Sequence, residues 1–257
     1  MPDNNRIFEQ PLNERIRMCL RIETLMKRIH YFATPEADWS GYGALLGILE
    51  ITALLERGDF KQDLMKELES HHSALKALSS HQGVDKSKLE LTLSKQKNAI
   101  ERIHRMDGKL GEHLKRIEFL ATIKQRTSIP GGSCDFDLPA LRFWLNQSHQ
   151  RRVDDLRRWA APYFELESVI ELILKIIRES ATPEQVVAEN GFYQQSLDPH
   201  QPNRLLRIQI PSDSGFYPEI SAGKHRFSIR FLNPLPIDDI PTQVKEDVPF
   251  TLMRCSL

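Results

Sequence analysis

Up to about residue 182, apolar residues recur at three- and four-residue spacing within polar segments, which predicts a series of amphipathic helices. Ile16, Leu20, Leu25 and Ile29 mark a first helix beginning near Asn13, whose side chain suits the capping position. Ser40 is placed to cap a second, running through Leu45, Ile48 and Leu55 to Gly58. A third runs from Asp59 through Leu64, Leu68 and Leu78, and a fourth carries Leu89, Leu93, Ile100 and Ile103. These two read as an antiparallel pair, and Asp107-Gly108 turns the chain after the fourth. A fifth spans Leu110 to Ile123. The stretch SIPGGSCDFDLP (128–139) breaks the pattern, with Asp137 expected to cap the next helix. Helices then resume over Pro139 to Asn146, His149 to Ala160 and Tyr163 to Ser180, the last apolar on more than one side.

Beyond Pro183 the period shortens towards two. Leu206, Ile208 and Ile210 alternate with Arg207 and Gln209, and Phe227, Ile229 and Phe231 with Arg226, Ser228 and Arg230. That pattern predicts half-buried strands of an antiparallel sheet. Residues 191–194 and 250–253 are further candidates, and 6–10 a possible addition from the N-terminal side. The fold class is therefore α+β, a mainly helical domain (12–182) followed by an antiparallel β-rich domain (183–257). The 6–10 strand and a short strand segment near 128–134 are expected to join the β part.

At 257 residues the chain has room for a large core without disulfides. Lys+Arg and Asp+Glu both number 35, so the net charge is zero, which argues against a general polyanion binder. Cys19, Cys134 and Cys255 are too far apart for a metal knuckle and suit reduced thiols, with Cys134 expected to pack at a turn. The most apolar stretch, 43–55, is broken by Glu50 and is too short to span a bilayer, and the first ten residues lack a secretory pattern. A cytoplasmic protein is expected. Enzyme signals do not survive inspection. Gly41, Gly43 and Gly47 follow no strand, so they fit close helix packing better than a dinucleotide site. Ser133-Cys134 has no identifiable base, and His71, His72, His104 and His113 lack ligand spacing. No cofactor or metal is called for.

Charge does concentrate locally. Between Arg204 and Arg230 lie five Lys/Arg (Arg204, Arg207, Lys224, Arg226, Arg230) against Asp213 and Glu219. If strands 205–210 and 226–231 share a sheet, Arg207, Arg226 and Arg230 project from its outer face. A solvated face carries charge in any case, but three guanidiniums with few acids repel one another, and this favours binding of anions or acidic peptides. Arg17, Arg21 and Arg28 form a stripe on the first helix, where a surface salt-bridge face is an equal alternative. Arg57 sits at a helix C-terminus, where the dipole favours a cation regardless of function.

The segments FEQPLNERIRMCLRIE (8–23), LLERGD (54–59), RTSIPGGSCDFDLPALRFWL (126–145), NGFYQQ (190–195) and FYPEISAGKHRFSIRF (216–231) resemble the bacterial ZapD family. The resemblance runs nearly end to end but is poor over 60–118 and after Asn233. It implies a two-domain homodimer without enzymatic activity. Such a protein sits at the mid-cell division ring, binds the C-terminal tails of the tubulin-like polymer FtsZ, and cross-links its filaments. By motif it implies contacts through Arg17, Arg21, Arg57, Lys224, Arg226 and Arg230. A nucleic-acid-binding module using the same basic face is the alternative, with zero net charge and the inward Phe227 counting against it.

Overall fold

A computed structural model describes residues 5–34, 39–56, 58–80, 84–106, 108–198, 202–234, 236 and 238–256. The chain opens with strand β1 (Asn5–Pro11) and then runs through helices α1 (Glu14–Ala33), α2 (Ser40–Leu55), α3 (Phe60–Ala77), α4 (Lys86–Arg105), α5 (Glu112–Lys115), α6 (Glu118–Arg126), α7 (Pro139–Leu145) and α8 (His149–Glu179). Strands β2 (Glu184–Ala188), β3 (Phe192–Ser196), β4 (Leu205–Pro211), β5 (Tyr217–Ala222), β6 (Arg226–Asn233), β7 (Thr242–Gln243) and β8 (Val248–Cys255) complete it. The α+β class read from the sequence holds. Two compact units form, one of Met18–Ile173 and one of Met1–Arg17 with Leu174–Leu257.

In the helical unit, Gly43 and Gly47 let α2 approach α1 closely. A Cβ on Gly43 would lie 2.9 Å from the Phe32 ring, and one on Gly47 would lie 2.7 Å from Ile29 Cγ1. These glycines are packing residues, as their sequence context implied. Asp59 caps α3 by accepting from the Gln62 amide (3.1 Å), and Asp85 caps α4 by accepting from Lys88 (3.0 Å). Lys61, at the start of α3, donates to the Met106 carbonyl at the end of α4, so the two helices run antiparallel. Phe119, Trp144 and Trp159 cluster with ring centroids 5.7–6.0 Å apart. Trp144 Nε1 donates to the buried Asp155 (3.1 Å), so the indole is satisfied without water.

Several local expectations need correction. Helix α2 starts at Ser40, with Trp39 at the capping position and no side-chain cap. The fifth helix is split by extended Ile117, leaving Leu114 and Leu120 buried on either side of the break. The two helices expected over 149–180 are a single helix. Pro162 forfeits one backbone bond inside α8, but the fully buried Tyr163, Leu166, Val169 and Ile173 each contribute about 1.5–3 kcal/mol and hold it together. Residues 128–134 form no strand and pair with no sheet. They are successive tight turns, Ile129 N to Arg126 O (3.0 Å), Gly132 N to Ile129 O (2.9 Å) and Cys134 N to Gly131 O (3.1 Å), so their backbone groups are satisfied locally. Asp137 pairs with Arg126 (3.2 Å) instead of capping α7, and Cys134 is exposed, not packed. The Asp107 half of the expected turn lies outside the described residues.

The β unit contains two antiparallel sheets, one ordered β1-β4-β8-β2 and the other β3-β6-β5 with β7 paired to β6. The inner positions of both, Leu206, Ile208 and Ile210 from one and Phe227, Ile229 and Phe231 from the other, join Phe250 and Leu252 in one core. Phe231 and Phe250 bridge the sheets with ring centroids 5.2 Å apart. Asn190 (φ 49°) and Gly191 (φ 72°) make the left-handed turn between β2 and β3.

Candidate functional site

Strands β4 and β6 lie in different sheets, so Arg207 does not share a face with Arg226 and Arg230. The sequence premise fails because the two inner faces meet each other. Their outward side chains therefore point away on opposite sides. Outward-facing Leu205 and Cys255 are both fully buried, so the sheet of β4 is covered on both sides at this end. There Arg207 faces Glu9, its cross-strand neighbour on β1, and donates Nε to Oε1 at 2.9 Å. Arg178, in the last turn of α8, donates to the same carboxylate through Nε (2.8 Å) and Nη2 (2.7 Å). Arg207 is only 17% exposed and is an internal ion-pair partner.

The other sheet brings its cations together. Along β6, Arg226 and Arg230 are exposed on the outer face with half-buried Ser228 between them, and Lys224 is exposed in the turn before the strand. Four residues along a strand separate the two guanidinium-bearing positions by about 13 Å. Arg230 stands between Phe192 of β3 and Glu219 of β5, Ser228 between Gln194 and Ser221, and Arg226 beside Ser196. Glu219 is the acid nearest in register, yet Lys224, Arg226 and Arg230 form no ion pair among the described residues. The face is held rigidly from behind, since Phe227, Ile229 and Phe231 are at most 1% exposed.

On α1, Arg17 pairs with Glu14 (3.1 Å) at a half-exposed surface. Arg21 is exposed and makes no ion pair among the described residues. Arg28, third in the stripe, is held by Glu50 through two bonds of 3.1 and 3.2 Å. Arg57 lies outside the described residues. Of the seven predicted contact residues, the structure therefore gathers three, Lys224, Arg226 and Arg230. Sequence reasoning assigned no role to Phe192 on the same face, although the alternation Phe192, Gln194, Ser196 against inward Tyr193 carried the signal.

In the helical unit a groove of about 310 Å³ between Ile29, Leu156 and Phe164 has His30 at its rim, bound to Glu167 at 3.0 Å. His71 is fully buried 3.4 Å from Glu67, one helical turn away. Among the described residues no three His, Cys, Asp or Glu side chains converge as metal ligands. Burial pushes the Cys19 thiol far up and the Cys255 thiol up to about 11. Both are poor nucleophiles at neutral pH. No helix among the described residues is long and apolar enough to cross a membrane.

The fold and its clustered charge define an α+β chain whose distinctive surface is a rigid cationic sheet face. Residues 20–230 match the ZapD family, described as a cell division protein. The chain is 39% identical over 250 residues to the cell division protein ZapD of Nitrosomonas eutropha, covering 97% of this chain and 99% of that protein. It is 36% identical over 254 residues to the protein of the same name in Methylococcus capsulatus (99% of each), and 36% identical over 252 residues to that of Coxiella burnetii (97% of each). The chain belongs to the ZapD family of cell division proteins.

Proposed function

We propose that this chain is a non-enzymatic cross-linker of the cytoplasmic division ring at mid-cell. It acts as a homodimer that binds FtsZ C-terminal tails and bundles FtsZ filaments. The observation that carries the reading is the outer face of β6, where Arg226 and Arg230 are exposed, with Lys224 in the turn before the strand, and none of the three forms an ion pair among the described residues. Exposed cations that no internal acid engages are open to the carboxylates of a peptide, which they hold by charge-assisted hydrogen bonds. Arg21 is a second candidate contact on α1, whereas Arg17 is shared with Glu14 and Arg207 is engaged by Glu9.

A flexible tail that orders on binding gives up part of its interaction energy, so each contact is weak. Two such sites on one dimer make the second attachment intramolecular, and bundling arises from avidity. A two-fold dimer closes on itself, so it joins two filaments without polymerising. The test is the double charge reversal Arg226→Glu with Arg230→Glu, co-sedimented with FtsZ filaments. The variant should stay in the supernatant with an unchanged circular dichroism spectrum; normal bundling would remove this face from the account.

A further inference from the structure

Phe192 is 40% exposed on the same outer face, directly opposite Arg230 in the β3–β6 register. Its position is tightly fixed. The Phe192 amide donates to Glu189 O (2.9 Å), and Phe231 N donates to the neighbouring Gly191 carbonyl (2.8 Å). The turn before it is held by Asn190 N donating to Asp247 (2.9 Å) and by Gln243 donating to Asn190 O (2.9 Å). A Cβ at Gly191 would run into the Val244 carbonyl, so the turn accepts glycine alone. Around Phe192 the face offers Gln194, Ser196, Ser221 and Ser228, which supply no apolar cover, whereas the adjacent Tyr193 points inward onto the core.

Single exposed apolar residues are common on protein surfaces and need no function. Phe192 differs in being preorganised beside an exposed cation that has no ion-pair partner among the described residues. An aromatic ring and a guanidinium side by side match a ligand that offers an apolar side chain next to a carboxylate. Resting on the proposed tail binding, we infer that Phe192 is the specificity-determining apolar half of this site. It selects a peptide in which an apolar residue neighbours the acid that meets Arg230. Charge alone attracts the ligand, and Phe192 sets which acidic segment is retained.

The experiment is fluorescence anisotropy of a labelled FtsZ-tail peptide with the full chain at several salt concentrations. Phe192→Ala should weaken binding about fivefold to thirtyfold at every salt concentration and leave the salt dependence unchanged. Phe192→Leu should recover most of the loss, and Arg230→Glu should flatten the salt dependence. On the unaltered chain, a peptide with its apolar residues replaced by serine should lose a similar factor, which tests the inference without altering the protein. Wild-type affinity in Phe192→Ala, or undiminished binding of the serine peptide, overturns the role of Phe192 while leaving tail binding in place. A flattened salt dependence in Phe192→Ala would reduce it to a support for Arg230. If the unaltered chain binds no tail peptide at all, the functional reading fails and this inference with it.

Discussion

Replacing Glu9 by alanine would take away the carboxylate that Arg178 and Arg207 share. Glu9 accepts two bonds from Arg178 and one from Arg207, at 2.7–2.9 Å, and the three side chains are only 17–24% exposed. Removing one partner from a fully buried ion pair costs about 3–5 kcal/mol. Partial access to water lowers that here to about 2–3 kcal/mol. Arg207→Ala is milder, about 1 kcal/mol, because Arg178 still holds Glu9 with two bonds. The reporter is Cys255, fully buried on the neighbouring strand, whose labelling in urea can be followed by peptide mass spectrometry. With a urea slope of about 3 kcal/mol/M for a chain of this size, the labelling midpoint falls by just under about 1 M in Glu9→Ala and by about 0.3 M in Arg207→Ala. Arg207→Ala should also bind FtsZ filaments as the unaltered chain does. Equal destabilisation by the two substitutions, or loss of filament binding in folded Arg207→Ala, would refute the assignment of Arg207 as an internal partner of Glu9.

Other consequences are as direct. Of the three cysteines, Cys134 is exposed and Cys19 and Cys255 are buried, so a thiol reagent should titrate one group in the native chain and three in denaturant. Cys255 is raised to about 11 when folded and titrates near 8.5 when unfolded, so its contribution is intact below about pH 8.5 and is lost as pH rises towards 11. Stability measured from pH 8.5 to 11 should fall by about 2–3 kcal/mol less in Cys255→Ala than in the unaltered chain. Gln96 is fully buried with neither amide atom hydrogen-bonded among the described residues, so Gln96→Leu should stabilise by about 1 kcal/mol, seen as a melting temperature about 2–4 °C higher. Gly191→Ala meets both positive φ and the Val244 carbonyl, and should destabilise by about 2–3 kcal/mol in a urea titration.

The sequence was legible wherever one physical cause dominated. Period-two alternation located β4 and β6, and Asn13 was correctly read as a cap, accepting from the Ile16 amide at 2.9 Å. The third helix starts at Asp59 as expected, and the glycines of α2 are packing residues. The reading failed where tertiary contact decides. Nothing local reveals that Pro162 is carried within a helix, because the buried residues that outweigh it make distant contacts. The alternation of Leu206, Arg207 and Ile208 gives the correct inner face, but cannot show that the outer face at Arg207 is covered too. Only the buried Leu205 next to Leu206 departs from strict alternation there. Pairing of strands is likewise unreadable from alternation, so the single basic face became a face of three residues and a separate internal ion pair.

Tail dependence of filament binding tests the central claim most directly. The protein should co-sediment with full-length FtsZ filaments at low salt, less at moderate salt, and not at all with filaments that lack the C-terminal tail. Equal binding to tail-less filaments, or binding indifferent to salt, would contradict the account and move the contact away from Lys224, Arg226 and Arg230.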